Sequence, residues 1–295
     1  MSAVTLDQLN AAGQAQFVAA LGAIYEHSPW VAEAVAAQRP FATLAALHEA
    51  MTAAVRAASD ADKLALLKAH PDLAGKAAHL GVLTADSRQE QTSAGLDRLN
   101  DTEFADFHRL NEGYAKKFGF PFIVCVRRHT KDSIFREFGR RLRNDTAVEY
   151  ATALDEVARI AALRLDQHVT APDKLKVHGR LSTHVLDTHK GAPAQGMTVE
   201  LHELSWTGDG RRIAAATTNT DGRTDSPLIV GRPLPIGTYE LRFAVGDYYA
   251  TRGVDLTDPP FLDIVPIRFS LAEPEGHYHV PLLVTPWSYS TYRGS

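Results

Sequence analysis

Cysteine is almost absent from this chain, because Cys125 is the only one among 295 residues. A disulfide within the chain is therefore excluded, and a reducing compartment is indicated. Long apolar runs are missing too, since none approaches the roughly 20 residues that a helix needs to cross a bilayer. The first residues lack the basic and apolar regions of a secretory signal. We therefore predict a soluble cytoplasmic protein with no membrane partner.

A large excess of one sign of charge is missing as well. The formal net charge is −4, which argues against nucleic acid or an anionic membrane surface as the main partner. The histidines do not fall into the matched pairs of a zinc site, so we predict no metal centre. What remains is the composition of a globular protein that is long enough for two domains.

The spacing of apolar residues changes once along the chain. Up to about residue 165 they recur at three- and four-residue steps, which is typical of helices. After about residue 167 they alternate. Strands are therefore predicted near 198–202, 239–245 and 264–269, with turns near 208–210 and 220–222.

Helices followed by strands indicate either one mixed domain or two separate ones. The change is sharp here, and the stretch between the two patterns has the composition of a short linker. We therefore predict an all-α domain over 1–167, a linker over 168–175 and an all-β domain over 176–295.

Two apolar stripes stand out in the helical half. The first consists of Phe104, Phe107, Leu110, Tyr114 and Phe118. Asp101 or Thr102 is the predicted N-cap of its helix, and Gly119 its end. The second consists of Leu154, Val157 and Ala161 and continues to Arg164. A guanidinium there either meets a buried anion or reaches outward near the helix end, and the pattern leaves both open.

Polar residues in two short stretches are candidates for a site. A proline disfavours helix at the residue before it, so His70 is predicted at a break between helices, with Pro71 in the first turn of the next. Its imidazole then either faces a pocket or is simply solvated in a turn. Ser87 and Glu90 have the spacing of a capping box, and on spacing alone that structural role is preferred.

Several motifs of the helical half, taken together, resemble a known family. They are His70-Pro-Asp-Leu-Ala-Gly-Lys76, Ser87-Arg-Gln-Glu-Gln91, Ala94-Gly-Leu96, Phe118-Gly-Phe-Pro-Phe-Ile-Val-Cys-Val126 and Leu163-Arg-Leu165. In this order and spacing they resemble 2-oxo-4-hydroxy-4-carboxy-5-ureidoimidazoline (OHCU) decarboxylase over residues 1–166. The resemblance implies an all-helical fold that uses neither a metal nor an organic cofactor.

The resemblance also implies site residues. His70 would be the catalytic acid, Glu90 would take part in catalysis and binding, and Arg164 would hold the substrate. Ser87, Glu90 and Gln91 would bind the ring and ureido groups. The walls would be formed by Pro71, Phe122, Ile123, Val124, Cys125 and Val126. Judged by its apolar surroundings alone, Cys125 is a small buried core residue.

The strand half carries a second set of motifs. On an alternating strand over 181–187, His184 faces the side opposite Val185, and His277 and His279 share one face of a later strand. Aromatic residues almost to the end suggest a docked terminus rather than a frayed one. The ordinary alternative for these polar side chains is a solvated surface. The motifs are Leu181-Ser-Thr-His-Val-Leu-Asp187, Thr220-Asp-Gly-Arg223, Gly246-Asp-Tyr-Tyr249, His277-Tyr-His-Val-Pro-Leu-Leu283 and Tyr292-Arg-Gly-Ser295.

Together these motifs resemble 5-hydroxyisourate hydrolase of the transthyretin family, over about residues 175–295. The resemblance implies a β-sandwich with one short helix, assembled as a tetramer with its sites at a subunit interface. The implied catalytic residues are His184, Arg223, His279 and Tyr292, with Ser295 at the edge of the site. His184, Arg223 and Tyr292 would also bind substrate, and which histidine is the general base stays open.

The two resemblances fit one pathway, because the product of the hydrolase is the substrate of the decarboxylase. We therefore predict a bifunctional enzyme of urate degradation that acts on small molecules and forms (S)-allantoin. A homo-oligomer is expected, a tetramer through the strand domain, to which the helical domain could add dimer contacts. The main alternative is a transthyretin-like binding protein with a helical interaction domain. The second alternative is an enzyme with a single activity, in which one of the two domains is degenerate.

Overall fold

The chain forms two compact units in the computed structural model, which describes residues 4–74 and 83–294. The units divide between Val177 and His178, and each has its own apolar core. The stretch 168–175, predicted to be a linker, packs on the first unit, because Val169 and Leu175 contact its core. The structure therefore places the boundary later than the composition indicates.

The first unit is helical. A short parallel pair of two-residue strands, β1 (Val4–Thr5) and β2 (Val169–Thr170), joins its two ends. None of the helices in the described part of the chain is long and apolar enough to span a membrane. The described helices of this unit are α1 (Leu6–Ala11), α2 (Gln14–Leu21), α3 (Trp30–Val35), α4 (Leu44–Ala57), α5 (Asp60–Lys68), α6 (Ala85–Ser93), α7 (Asp101–Phe118), α8 (Lys131–Arg141) and α9 (Thr146–His168).

Helix α7 begins one residue earlier than a cap at Asp101 predicts and two earlier than a cap at Thr102 predicts. Asn100 is its N-cap, since its side chain accepts the N–H of Glu103 at 2.9 Å while the Glu103 carboxylate accepts the N–H of Asn100. The predicted caps Asp101 and Thr102 therefore lie inside the helix. Gly119 ends it with a φ of +79°, a left-handed conformation that glycine adopts without strain.

Both predicted stripes face the core. Phe107, Tyr114 and Phe118 of α7 are buried, as are Val157 and Ala161 of α9. Burial of these faces against each other fixes how the helices pack, at roughly 1.5–3 kcal/mol for each large apolar side chain. The last turns of α9 are thereby held against the interior, which determines where Arg164 points.

The second unit is a β-sandwich with one short helix, α10 (Val245–Ala250). The sheets have the strand orders β10-β9-β6-β7, β11-β3-β8 and β13-β12-β4-β5. Its strands are β3 (Gly179–Ser182), β4 (Val185–Asp187), β5 (Ala192–Pro193), β6 (Thr198–Leu204), β7 (Gly210–Thr217), β8 (Ile229–Arg232), β9 (Gly237–Ala244), β10 (Ile264–Leu271), β11 (His277–His279), β12 (Leu282–Val284) and β13 (Tyr289–Thr291). The three predicted strands correspond to β6, β9 and β10.

One predicted strand is divided. Residues 181–187 do not run as a single strand, because the chain leaves β3 after Ser182 and enters β4 at Val185. His184 lies in the break and forms an isolated antiparallel bridge with Arg223. Its position therefore follows from this bridge and not from strand alternation.

Candidate active sites

A pocket in the helical unit gathers most of the polar residues that the sequence singles out. The space between its lining residues, open mouth included, is about 350 Å³. Ten of the predicted residues line it, together with Leu73 and Ile160: His70, Pro71, Ser87, Glu90, Gln91, Phe122, Ile123, Val124, Val126 and Arg164. We call this the helical pocket.

His70 follows the end of α5, as the proline after it predicts, and is buried. Its Nδ1 lies 2.9 Å from the carbonyl oxygen of Leu66. A carbonyl can only accept, so Nδ1 carries the proton and Nε2 of the neutral ring is unprotonated. Burial is the main cause that lowers the pKa of His70 to about 4. The imidazole is therefore neutral at pH 7.

Arg164 points inward, which decides the alternative that the sequence left open. Its Nε and Nη2 donate to the two carboxylate oxygens of Glu90 at 2.9 and 3.0 Å. Nη1 donates to Glu26 at 2.8 Å and to the carbonyl of Ile24 at 3.5 Å, and Nη2 also donates to Ser87 Oγ at 3.3 Å. These bonds use all five N–H groups of a guanidinium.

Glu26 is a residue of this site that the sequence reasoning missed. It lies in the turn between α2 and α3, where His27 has a φ of +46°, and it is only 2% exposed. Besides Arg164, its carboxylate accepts the hydroxyl of Thr84 at 2.9 Å and that of Ser87 at 3.1 Å. Burial alone would raise the pKa of Glu26, but Arg164 lowers it below the ordinary value. The group is therefore an ionised, buried carboxylate.

Helix α6 presents the predicted Ser87, Glu90 and Gln91 on one face, because residues three and four apart are neighbours on a helix. Its N-cap is Thr84, whose Oγ1 accepts the N–H of Ser87 at 3.3 Å. The capping box of Ser87 and Glu90 is therefore wrong, since another hydroxyl caps the helix one turn earlier. That leaves Ser87 and Glu90 for the pocket, and burial raises the pKa of Glu90.

Four apolar residues of the segment 122–126 line the helical pocket, namely Phe122, Ile123, Val124 and Val126. Two buried charged residues hold the backbone of this segment. Arg141 donates to the carbonyl of Ile123 at 2.6 Å, and Glu156 accepts the N–H of Cys125 at 2.7 Å. The Cys125 side chain is 1% exposed in the core and is not part of the pocket wall. Burial raises the pKa of its thiol, so it is an inert thiol.

The buried histidines should make this unit sensitive to acid. Burial lowers the pKa of His129, like that of His70, from 6.5 to about 4. Between these pH values the unfolded chain binds more protons than the folded one. The free energy of unfolding should therefore fall below pH 6.5, by up to about 1.4 kcal/mol per pH unit for each histidine. Urea unfolding followed by helical circular dichroism should show a shallower decline for His129→Asn, and equal slopes would contradict the assignment.

A second cluster of polar groups lies in the β-sandwich, and we call it the histidine cluster: His184, Arg223 and His279. The 219–223 turn approaches β4 closely, with the N–H of Val185 donating to the carbonyl of Gly222 at 2.8 Å. A β-carbon at Gly222 would lie 2.3 Å from the carbonyl oxygen of Val185, so only glycine permits this approach. The turn thereby places Arg223 beside His184.

The two imidazoles of the histidine cluster are held differently. Burial and then the nearby Arg223 lower the pKa of His184, and the backbone of Asp221 acts in the opposite direction. Within the described residues its Nε2 is buried without a partner. His279 has its Nδ1 3.0 Å from Ser182 Oγ, and burial, Arg223 and His184 lower its pKa.

The chain end is tied down as predicted, but through its backbone. Strand β13 pairs with β12, and the N–H of Gly294 donates to the carbonyl of His279 at 2.9 Å. The phenol of Tyr292 is 60% exposed, and among the described residues it makes no hydrogen bond to the histidine cluster. Ser295 lies outside the described residues.

Comparison with known proteins gives the same division. A family model for OHCU decarboxylase matches residues 10–166, and one for the HIUase/transthyretin family matches residues 181–294. A 2-oxo-4-hydroxy-4-carboxy-5-ureidoimidazoline decarboxylase of Haloferax volcanii is 43% identical over 58% of this chain and 99% of its own length. A 5-hydroxyisourate hydrolase of Rhizobium meliloti is 54% identical over 40% of this chain and 97% of its own.

A solved structure spans both parts. A crystal structure of (S)-allantoin synthase covers 99% of this chain and 100% of its own, with 38% identity and a TM-score of 0.54. The first match alone takes in more than half of the sequence, and the second relative is aligned over nearly its entire length. The chain therefore belongs to the OHCU decarboxylase family through its helical unit and to the HIUase/transthyretin family through its β-sandwich.

Proposed function

We propose that the chain converts 5-hydroxyisourate to (S)-allantoin in two steps, one in each unit. The β-sandwich adds water to 5-hydroxyisourate and gives OHCU, and the helical unit then removes carbon dioxide from OHCU. The observation that carries this proposal is the match along the whole chain to an (S)-allantoin synthase. The chain is a bifunctional enzyme, a decarboxylase joined to a hydrolase, and not the binding protein that was the alternative.

Both steps can be tested in one experiment. 5-Hydroxyisourate is generated from urate with urate oxidase, and its decay is followed by absorbance and circular dichroism with and without the protein. Faster loss of 5-hydroxyisourate is the expected result of the hydrolase, and optically active allantoin is the expected result of the decarboxylase. Decay that is unchanged in both signals would reject the proposal.

In the decarboxylation, a hydrogen takes the place of the carboxylate. The bond to carbon dioxide leaves its electron pair in the ring, which a C=N bond beside it can accept, and a proton must then reach the ring carbon. We assign this proton to Nε2 of His70. Because burial favours the neutral imidazole, the negative charge of the substrate has to favour its protonated form. We assign Glu90 to the same catalytic step as His70.

The other residues of the helical pocket bind the substrate. Ser87, Glu90 and Gln91 offer hydrogen bonds to the ring and ureido groups. The wall consists of Pro71, Phe122, Ile123, Val124 and Val126. Arg164 has no N–H to spare, so a substrate carboxylate reaches it only by displacing a carboxylate of the protein. Glu90 is the one we expect to give way, because its side chain is 14% exposed and that of Glu26 only 1%.

In the hydrolysis, we assign the general base to His184. Its buried Nε2 has no partner among the described residues, which leaves this nitrogen to take a proton from water. Arg223 stabilises the negative charge that develops on oxygen when the cyclic amide opens. His279 completes the polar wall, with Ser182 fixing its ring. Neither reaction needs electrons from outside, and no group of three or more His, Cys, Asp or Glu side chains within 4–74 and 83–294 could hold a metal ion. We propose on these grounds that neither a redox cofactor nor a metal takes part.

Replacing Arg223 by alanine should lower kcat/KM for hydrolysis by roughly 10²–10³-fold, because a charged donor to the developing oxyanion is lost. The side chain is exposed, so stability should change little. Arg211→Ala, which removes a surface cation paired with Glu203, is the matched control. Full kcat/KM in Arg223→Ala would contradict the role.

We also propose that copies of the chain associate through the β-sandwich, as a tetramer, with the helical unit adding dimer contacts. Large apolar side chains on this unit are exposed in a single chain, among them Phe261, Ile264, Trp287 and Tyr292, and such surface is commonly covered by a partner. A second copy over the histidine cluster would bury Tyr292 and the end of the chain with Ser295.

The free, buried Cys125 suits the cytoplasm, where we propose the enzyme acts.

A further inference from the structure

We propose that Glu26 is a positioning residue of the decarboxylation site, whose carboxylate anchors Arg164 and Ser87 in the helical pocket and keeps Arg164 in place when Glu90 yields to the substrate. The inference rests on the proposed decarboxylation and deepens it. Glu26 does not line the pocket, so it acts through the residues that do.

The geometry gives Glu26 a different task from Glu90. Glu90 forms a two-pronged pair with Arg164 from the pocket side, whereas Glu26 holds the opposite Nη1 from the buried side at 2.8 Å. A guanidinium without a counter-ion is expensive to bury. If Glu90 moves to make room for a substrate carboxylate, Glu26 is the remaining anion that keeps Arg164 neutralised and inside.

Glu26 also fixes the helix that carries the other binding groups. Its two carboxylate oxygens accept the hydroxyl of Thr84, the N-cap of α6, and the hydroxyl of Ser87 one turn later. Both ends of the first turn of α6 are thus tied to one buried carboxylate. Because α6 also carries Glu90, a shift of this turn would move Glu90 relative to His70, and displacements of about 1 Å can cost about 10²-fold in rate.

The charges around Glu26 come from several elements. Arg164 of α9 faces it directly, His27 of its own turn lies 3.9 Å away, and His70 after α5 and Glu90 of α6 interact with it through space. Burial is the largest influence on both groups: it lowers the pKa of His70 and raises that of Glu90. The negative charge of Glu26 acts to raise both pKa values. Asp86 of α6 raises that of Glu90 in the same way. Removing the Glu26 charge should therefore lower both pKa values.

The test compares Glu26→Gln, which keeps the shape and removes the charge, with Glu26→Asp, which keeps the charge and shortens the reach. OHCU is supplied by an excess of the Rhizobium meliloti hydrolase, and (S)-allantoin is followed by circular dichroism as pH is varied. We expect kcat of Glu26→Gln to fall about 10²-fold and its pH profile to move to lower pH. Glu26→Asp should lose rate with the profile unmoved.

Two controls separate positioning from general damage. Asp166→Asn removes the charge of a different buried carboxylate, which lies on α9 and accepts the N–H of Leu175 at 3.1 Å. This variant should leave kcat and the pH profile unchanged. The hydrolase activity of the same chain reports on the intact second unit. Wild-type kcat in Glu26→Gln, or a lower kcat with an unmoved profile, would overturn the proposal.

If Glu26→Gln does not fold, Glu26→Asp decides: a folded variant with reduced kcat supports the proposal, and one with wild-type kcat overturns it. Failure of the proposed function is distinguishable, because the unchanged protein would then form no (S)-allantoin from OHCU.

Discussion

His70→Asn is expected to lower kcat for decarboxylation by roughly 10²–10⁴-fold, which is what a positioned acid–base group contributes. The asparagine amide can still donate to the Leu66 carbonyl, so the end of α5 should keep its conformation. The asparagine amide cannot take up and release a proton at neutral pH. The ring carbon of the substrate would then be protonated only by water. Appearance of (S)-allantoin from OHCU measures the effect.

His129→Asn is the matched control for this variant. His129 is buried to the same extent as His70, 8% against 9% exposed, and burial lowers both pKa values to about 4. It contacts Ser133 instead of the helical pocket. Decarboxylation should survive in His129→Asn, and hydrolysis should survive in both variants. An active, folded His70→Asn protein would remove His70 from the mechanism.

His184→Asn should lower kcat/KM for hydrolysis by a similar factor, roughly 10²–10⁴-fold. The wild-type activity should fall as the pH drops through the pKa of His184, which burial and Arg223 hold below its ordinary 6.5, because the protonated ring cannot accept a proton from water. This acid limb should be missing from the residual activity of His184→Asn. The loss of 5-hydroxyisourate is followed by absorbance across the pH range.

His279→Asn tells the two histidines apart, and His189→Asn is the control. If His184 is the base, the slower His279→Asn enzyme keeps the acid limb. His189 is exposed and contacts the rings of Tyr249 and Trp287, so its replacement should leave hydrolysis unchanged. An acid limb that vanishes in His279→Asn and persists in His184→Asn would reverse the assignment.

Residues that repeat at a fixed period were predictable from the sequence. The stripes of α7 and α9 and the alternation of β6, β9 and β10 follow from burial of one face, which any core requires. The sequence leaves the direction of Arg164 open, because the apolar pattern of its own helix does not show whether a buried anion faces this side chain. The resemblance to known motifs assembled most of the helical pocket, since each motif brings its residues with it.

Residues that act across long sequence distances were not predictable in the same way. Glu26 meets Arg164 across 138 positions, and a glutamate in a short turn carries no periodic signal; only the left-handed φ of His27 and the burial of Glu26 reveal it. Arg141 and Glu156, which hold the backbone of 122–126, lay unnoticed on helices for the same reason. The alternating pattern predicts that His184 lies on one continuous strand. It contains no sign of the bridge to Arg223, which forms in the break between β3 and β4.

All five N–H groups of the Arg164 guanidinium donate hydrogen bonds, and this limits which substitutions the position tolerates. Lysine keeps the positive charge, but its ammonium offers three donors from one point instead of five in a plane. It could not face Glu26, Glu90 and Ser87 together with the Ile24 carbonyl, so at least one oxygen would be left desolvated beside an apolar wall. A replacement that substitution tables rate as mild would thus be among the harshest in this unit, and arginine is the only natural side chain that satisfies all of these neighbours.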